Sequence, residues 1–321
     1  MSKKKKVIPT IIKEIKQRTF LPIEYAYQKS ISFSQLSMFR SCPRKWSLQY
    51  KDGHYTSEQS IHMTFGTALH ETLQHYITTL YEVSGAEADR IDIETYFEDK
   101  MGEIYRKNYE DNKKVHFSNP SELREFYNDG VEILNFIKKK KNNYFSKKGW
   151  HLVGCEIPIQ LTPNPTYKNI IYKGYLDLVL YHEPTNTFEI IDIKTSKNSW
   201  SDKQKKDKIK QSQLILYKIF FAQQFNIPID SISVKFFIVK RKLYQNIDYP
   251  QSRIQIFTPP SGRNSIKSCS DNINDFIKNT FDPTGKYLDI EHQPTPSEHC
   301  NWCIFNKTYL CSATFGEAPK S

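Results

Sequence analysis

The chain has 321 residues, 38% of them hydrophobic, so it is long enough for one large domain or two modest ones with a buried core. Lys and Arg number 46 against 35 for Asp and Glu, which gives a formal net charge of +11. A basic excess of this size suits a polyanionic partner, although a merely lysine-rich composition explains it equally well.

Neither a secretion signal nor a membrane segment is predicted. The basic start, Met1–Lys6, is followed by an apolar run, Val7–Ile12, that is too short and too interrupted for a signal core. No stretch approaches the length of a membrane span, so no membrane partner is expected. We expect a reducing cytoplasm, or the host cytoplasm if the chain is phage-encoded. The six cysteines are then expected to be metal ligands or buried thiols rather than disulfides.

The first half of the chain is predicted to be helical. One helix is expected over Ser32–Tyr50, with Ser34 as its cap. A stronger helix is expected over Thr64–Glu82, and more helix follows as far as Lys141. The evidence for the stronger helix is a set of apolar residues at helical spacing, namely Phe65, Leu69, Leu73, Tyr76 and Leu80.

The second half is predicted to contain strands. Three are expected, at His151–Leu161, Ile171–His182 and Phe188–Thr195, with a turn over Glu183–Asn186 between the last two. A helix over Lys208–Phe225 and a strand over Ser233–Val239 follow. This order predicts an α/β fold in which a mixed central sheet is flanked by helices.

Five segments are expected along the chain. They are a basic N-terminal arm (1–30), an element carrying Cys42 (31–60), a helical region carrying His70 (61–150), an α/β core (151–260) and a C-terminal helix with a cysteine cluster (261–321). The C-terminal helix is expected to begin near Asn272.

Two carboxylates and a lysine are expected to meet on the predicted hairpin. Asp192 and Lys194 lie two residues apart on one strand and therefore share a face. If a four-residue loop pairs His182 with Thr187, the antiparallel register puts Asp177 opposite Asp192, with Cβ atoms about 5 Å apart. Carboxylates this close repel each other unless a cation such as Mg²⁺ or Mn²⁺ lies between them. The alternative is a surface hairpin with ordinary charges.

Three further polar residues are candidates for the same site. Gln213 and Tyr217 lie four apart and share a helical face, where they either position a substrate group or place a solvent-facing Gln beside a core Tyr. His70 lies at the edge of the apolar stripe of its predicted helix. It is either a metal ligand or an ordinary residue at the boundary of the core. His62 and His75 are weaker candidates.

Cysteines cluster near the C-terminus. Cys300, Cys303 and Cys311 follow a C-x2-C-x7-C pattern, and Cys42 lies far upstream. Four thiolates can hold zinc or an iron–sulfur cluster, and a short polar segment has little core in which to bury free thiols. Cys155, in a strand, and Cys269, in a predicted loop, are interpreted as structural residues.

Taken in order, these motifs resemble the RecB-like branch of the PD-(D/E)xK nucleases. The chain looks most similar to members with an iron–sulfur cluster, such as the AddB nuclease domain and the CRISPR-associated adaptation nucleases. The stretches that carry the resemblance are Ser32–Leu36, Cys42–Trp46, Gly66–His70, Gly174–Asp177, Ile191–Lys194, Gln213–Tyr217 and the three terminal cysteines.

The resemblance implies a restriction-endonuclease-like core with helical additions and a role for each motif. His70, Asp177, Asp192 and the main-chain carbonyl of Ile193 would bind Mg²⁺ or Mn²⁺, and Lys194 would be the catalytic lysine. Gln213 and Tyr217 would be the supporting motif. Cys42, Cys300, Cys303 and Cys311 would ligate a 4Fe–4S cluster, with zinc as the alternative. The seven residues between Cys303 and Cys311 exceed the usual spacing of this branch.

The implied reaction is metal-dependent hydrolysis of a DNA phosphodiester in recombination, repair or phage DNA metabolism. Basic stretches at Lys197–Lys210, Lys240–Lys242 and Lys138–Lys141 are expected to follow the DNA backbone. Trp200 either stacks on unpaired bases, which favours an exonuclease acting on single-stranded or frayed ends, or covers the core. A binding subunit without cleavage and an RNA nuclease stay open. The sequence contains no G-x-x-x-x-G-K-[ST] motif, so a helicase or recombination protein would be a separate partner.

Overall fold

The structure is a computed structural model that describes residues 8–18, 29–54, 59–145, 148–244, 248 and 250–313. The chain forms two compact units. The larger contains described residues within 1–20, 58–159 and 175–262, and the smaller contains those within 21–57, 160–174 and 263–321. Much of the predicted basic arm, 1–30, lies outside the described residues.

Helices and strands alternate along the chain. The helices are α1 (Thr10–Gln17), α2 (Phe33–Ser41), α3 (Pro43–Trp46), α4 (Ile61–Thr78), α5 (Gly85–Arg90), α6 (Ile93–Asp111), α7 (Pro120–Lys139), α8 (Lys141–Tyr144), α9 (Asp202–Lys206), α10 (Lys208–Phe225) and α11 (Arg263–Thr280). The strands are β1 (Lys29–Ile31), β2 (Trp150–Leu161), β3 (Ile170–His182), β4 (Thr187–Ser196), β5 (Ile232–Lys240) and β6 (Ile254–Phe257).

The larger unit is built on a mixed sheet, as predicted. β3 pairs with β2 and antiparallel to β4, β4 pairs parallel to β5, and β5 pairs antiparallel to β6. The β3–β4 turn is a short 3₁₀ turn closed by Asn186 in the left-handed conformation, with φ +52°. His182 pairs with Thr187 across it, which confirms the predicted register.

Helices cover the sheet of the larger unit because its strands are apolar on both faces. α4, α6 and α7 share one core with the side chains of Leu178, Ile191 and Ile193. On α10, Phe221 packs against Phe188 of β4 with ring centroids 5.5 Å apart. Within the described ranges, no helix combines the length and the apolar character that crossing a bilayer requires.

The smaller unit has its own aromatic core. β1 pairs parallel to the first residues of β3, with Lys29 opposite Ile170. Fully buried Trp46 packs edge-on against Phe276 and Phe281. This packing connects the short N-terminal helices of the unit with α11.

Three local predictions were wrong. The expected single helix over Ser32–Tyr50 is interrupted at Cys42, because Pro43 lacks the N–H that would continue α2 and instead begins α3. Ser32 caps α2 in place of Ser34, by accepting a hydrogen bond from the Gln35 N–H. α11 begins at Arg263 and contains Cys269, which is buried in the helix and does not lie in a loop.

Candidate functional site

The site lies where the β3–β4 hairpin opens. The ladder runs from His182–Thr187 to Leu178–Ile191. One position further along β3, the Asp177 carboxylate accepts a hydrogen bond from the Ile193 N–H through Oδ2, at 2.7 Å. The side chain of Asp177 thus accepts a hydrogen bond from the main chain of β4, just beyond the last paired residues of the two strands.

Asp192 and Lys194 form an ion pair on β4. Lys194 Nζ lies 2.8 Å from Asp192 Oδ2 and 3.1 Å from Oδ1. The aspartate is 1% exposed, whereas a third of the lysine side chain reaches solvent. A carboxylate this deeply buried needs a neighbouring positive charge, and the lysine supplies it.

α4 brings His70 to the same place. Its Nδ1 lies 3.8 Å from Asp177 Oδ2, and the ring hydrogen-bonds to the main chain of Ile193. A Cβ atom at Gly66, one turn earlier, would lie 3.3 Å from Thr195 Oγ1. The glycine therefore lets α4 approach the end of β4 closely enough for His70 to reach the carboxylates.

Glu156 of β2 belongs to this centre, and sequence reasoning missed it. One ligand atom each from His70, Glu156 and Asp177 lie within 4.8 Å of one another. The signal in the sequence was an acidic residue between Cys155 and Ile157, inside the predicted strand His151–Leu161. The predicted ligands Asp192 and Ile193 lie beside this group: Asp192 is paired with Lys194, and the Ile193 main chain is hydrogen-bonded to His70.

Lys194 does not fully compensate the buried carboxylates of the centre. Burial raises the pKa of Asp177 and of Asp192 to about 6 each, and the nearby Lys194 only partly opposes this rise. Asp177 itself raises the pKa of Asp192 further. Burial also lowers the pKa of His70, which favours the neutral imidazole that can ligate a metal. An imidazole and carboxylates in this arrangement fit a divalent cation.

Gln213 and Tyr217 lie together on α10. Gln213 Nε2 donates a hydrogen bond to Tyr217 Oη at 3.3 Å. Tyr217 is 6% exposed, and its pKa is raised by burial and by the negative charges of Asp192 and Asp177. The pair therefore belongs to the electrostatic surroundings of the carboxylates, and Gln213 is not merely a solvent-facing residue.

A cleft of about 660 Å³ opens beside the centre. It is lined by residues of α4, β2 and β4 that include His62, His70, Gln74, Glu156 and Lys194. His75 points elsewhere and stacks on Tyr96, with ring centroids 4.4 Å apart.

Two of the three predicted basic stretches have internal partners. Arg241 is 7% exposed and bonded to Asp129 at 2.5 Å, and Lys242 contacts the same carboxylate at 2.8 Å. Lys138 donates to the carbonyl of Ile91, and Lys141 pairs with Asp89. These lysine and arginine side chains have partners within the fold, whereas Lys139 and Lys140 are exposed. That the two stretches follow the DNA backbone stays a prediction.

The third basic stretch is exposed. Its solvent-facing lysines are Lys197, Lys203, Lys206 and Lys208. Trp200 in this segment is 8% exposed and packs on Phe236 with ring centroids 5.0 Å apart. It therefore covers the core and is not free to stack on bases.

The four predicted cluster cysteines lie together in the smaller unit. Cys42, Cys300, Cys303 and Cys311 are half-buried free thiols that line one cavity of about 450 Å³. The Ser297 N–H donates to Cys300 Sγ at 3.5 Å. Among the described residues, no three of these sulfur atoms lie within 4.8 Å of one another.

A mixed sheet that presents two aspartates and a lysine at an opening hairpin is typical of one class of nucleases. The family model described as PD-(D/E)XK nuclease superfamily matches residues 30–308. The chain therefore belongs to the PD-(D/E)XK nuclease superfamily, whose members generally use divalent metals.

A solved structure from Eubacterium rectale, described as "Putative exonuclease", is 13% identical with a TM-score of 0.46, over 91% of this chain and 94% of that chain. No curated protein matches.

Proposed function

We propose that this protein is a metal-dependent deoxyribonuclease that hydrolyses DNA phosphodiester bonds in the cytoplasm. The observation that carries the proposal is the convergence of His70, Glu156 and Asp177 within 4.8 Å, beside the Asp192–Lys194 ion pair. This donor set, in a chain of the PD-(D/E)XK nuclease superfamily, supports Mg²⁺ or Mn²⁺ as the cofactor.

Each side chain has a distinct task in the proposed reaction. His70, Glu156, Asp177 and Asp192, with the main-chain carbonyl of Ile193, would hold the metal. The bound metal would supply an activated water and neutralise charge on the phosphate. Lys194 is partly exposed, so its ammonium group can orient the attacking water and stabilise negative charge on the phosphate. Gln213 keeps the Tyr217 hydroxyl oriented near the carboxylates.

The proposed substrate is DNA with single-stranded or frayed ends, digested from an end. The exposed lysines of the stretch 197–208 support a track for the phosphate backbone. They do not distinguish a non-cleaving DNA-binding subunit from a nuclease. The intact carboxylates and lysine favour the nuclease, because a subunit that only binds DNA has no need of a buried, charged centre.

We also propose a 4Fe–4S cluster on Cys42, Cys300, Cys303 and Cys311, which would place the chain in the RecB-like iron–sulfur branch. The shared cavity and the four free thiols support a metal-binding group, and the resemblance to the iron–sulfur branch favours a cluster over zinc. A brown colour in anaerobically purified protein, lost in a Cys303→Ala variant, tests this proposal. Colourless protein that binds zinc would contradict it. A separate helicase or recombination protein would complete a DNA-processing complex.

Digestion of end-labelled nucleic acids tests the proposed activity. Single-stranded DNA, double-stranded DNA and RNA of one sequence are incubated with wild-type protein and Mg²⁺, Mn²⁺ or EDTA. We expect metal-dependent cutting of DNA, fastest on single strands, that is lost in Asp177→Asn and kept in the control Glu189→Gln. Glu189 lies on β4 but pairs with Lys235. Preferential cutting of RNA, or DNA binding without any cutting, would overturn the proposal.

A further inference from the structure

Gln74 is a buried polar side chain behind the candidate metal centre. It lies on α4 one turn after His70 and is 8% exposed. Its Nε2 donates to Glu156 Oε1 at 2.6 Å and to the main-chain oxygen of Asp177 at 3.1 Å. Both amide protons are therefore used, and both acceptors belong to residues of the same centre.

Glu156 has an unusual backbone for a residue within a strand. Its φ is +50°, in the left-handed region that non-glycine residues seldom adopt. Such a conformation persists where the surrounding structure enforces it, and it is concentrated at functional sites. Here it turns the side chain of a β2 residue toward α4, where the short hydrogen bond from Gln74 holds one carboxylate oxygen.

We infer that Gln74 is the positioning residue of the metal centre and acts through Glu156. By occupying Oε1 it leaves the other oxygen of Glu156 for a cation that His70 and Asp177 also reach. Its second hydrogen bond fixes β3 at Asp177, so one amide sets the distance between the two acidic residues. This inference rests on the proposed function, because it deepens the proposed Mg²⁺ or Mn²⁺ site.

Gln74 is expected to raise metal affinity for the same reason as other groups that orient metal ligands. A ligand that is already fixed loses little freedom when the ion binds, and removing such an outer partner typically lowers metal affinity by about 10- to 100-fold. A purely structural amide that bridges a helix and a strand would instead change stability with no effect on metal binding. Metal affinity therefore separates the two roles.

The test compares Mn²⁺ binding by calorimetry in full-length protein carrying Gln74→Leu, Glu156→Gln or both changes. We expect Gln74→Leu to weaken Mn²⁺ binding at least tenfold and Glu156→Gln to weaken it as much or more. The double variant is expected to bind Mn²⁺ like Glu156→Gln alone, because Gln74 acts only through that carboxylate. Gln74→Met repeats the measurement with an unbranched side chain if the leucine variant does not fold.

Gln224→Leu is the matched control. Gln224 Nε2 likewise joins a helix to β2, through the carbonyl of Pro158 at 2.9 Å, and Pro158 is not one of the proposed ligands. We expect it to lower stability without changing Mn²⁺ affinity. Circular dichroism and melting in EDTA establish that each variant folds without metal.

Two outcomes would overturn the inference. One is unchanged Mn²⁺ affinity in Gln74→Leu, and the other is additive losses in the double variant, which would mean that Gln74 acts independently of Glu156. Cleavage gives a second readout: Gln74→Leu should regain activity at high Mn²⁺, since every ligand is still present. If wild-type protein binds Mn²⁺ but cuts nothing, the proposed function fails, while the binding comparison still decides the role of Gln74.

Discussion

Replacing Asp192 by Asn should stabilise the metal-free protein at pH 8. The Asp192 carboxylate is 1% exposed, and burial raises its pKa to about 6, against an ordinary value of 3.8. At a pH between these two pKa values, Asp192 keeps its proton in the folded protein but has already released it in the unfolded chain. The free energy of unfolding of the metal-free protein therefore falls as the pH rises from about 4 to about 6. Above about pH 6 the full destabilisation by the buried, ionised Asp192 is present.

The expected stability difference between the Asn variant and wild type follows from the rise in the pKa of Asp192. A difference of about two pH units corresponds to about 3 kcal/mol, and the Asn amide avoids this cost because it carries no charge. Lys194, left without its partner, is a third exposed and can turn to water. We therefore expect the Asn variant to exceed wild type by about 1 to 3 kcal/mol at pH 8 in EDTA, and to match it near pH 4, where Asp192 is protonated.

Urea unfolding in EDTA at pH 4, 6 and 8 measures this difference, with Glu189→Gln as the control on the same strand. Glu189 is paired with Lys235 at 2.7 Å, so its substitution should bring no stabilisation at any pH. Adding Mn²⁺ at pH 8 should reverse the order, because the ion stabilises wild type and the Asn variant lacks one of its proposed ligands. An Asn variant less stable than wild type by the same amount at pH 4 and pH 8 would refute the reasoning.

Three further predictions concern groups outside the catalytic centre. Cys303→Ala should lose the colour of the cluster and melt at lower temperature, whereas Cys155→Ala should keep the colour, which visible absorption of anaerobic samples checks. Arg241→Ala should destabilise the protein by about 1.5 to 3 kcal/mol in urea, because the buried carboxylate of Asp129 then keeps only Lys242 as a partner. Lys203→Ala with Lys206→Ala should lower the slope of log K against log salt for DNA binding by about 1 to 2. An unchanged slope would show that these lysines do not contact the DNA backbone.

The strands and the hairpin were predictable because their signals are local. A four-residue turn sets the register of His182 against Thr187, and the helix predicted over Lys208–Phe225 matches α10 residue for residue. The contact between Asp192 and Lys194 was predictable because residues two apart in a strand lie on the same face. These predictions needed no knowledge of distant parts of the chain.

Other features depend on tertiary contacts that a local pattern does not contain. Glu156 joins the centre through Gln74, which is 82 residues away in sequence, and through a left-handed backbone within a strand. Arg241 looked like part of a DNA-binding run, but its charge is neutralised by Asp129 from α7. Trp200 looked available for stacking, yet β5 supplies a ring that buries it.

Single-turnover cleavage of end-labelled single-stranded DNA by Lys194→Ala tests the central claim most directly. Lys235→Ala is the control, since this lysine lies on β5 and pairs with Glu189, which is not one of the proposed metal ligands. We expect Lys194→Ala to bind Mn²⁺ and DNA close to wild-type levels but to cut at least about 100-fold more slowly, because the charge that assists the reacting phosphate is gone. Cleavage by Lys194→Ala at the wild-type rate would contradict the assignment of this centre as the active site.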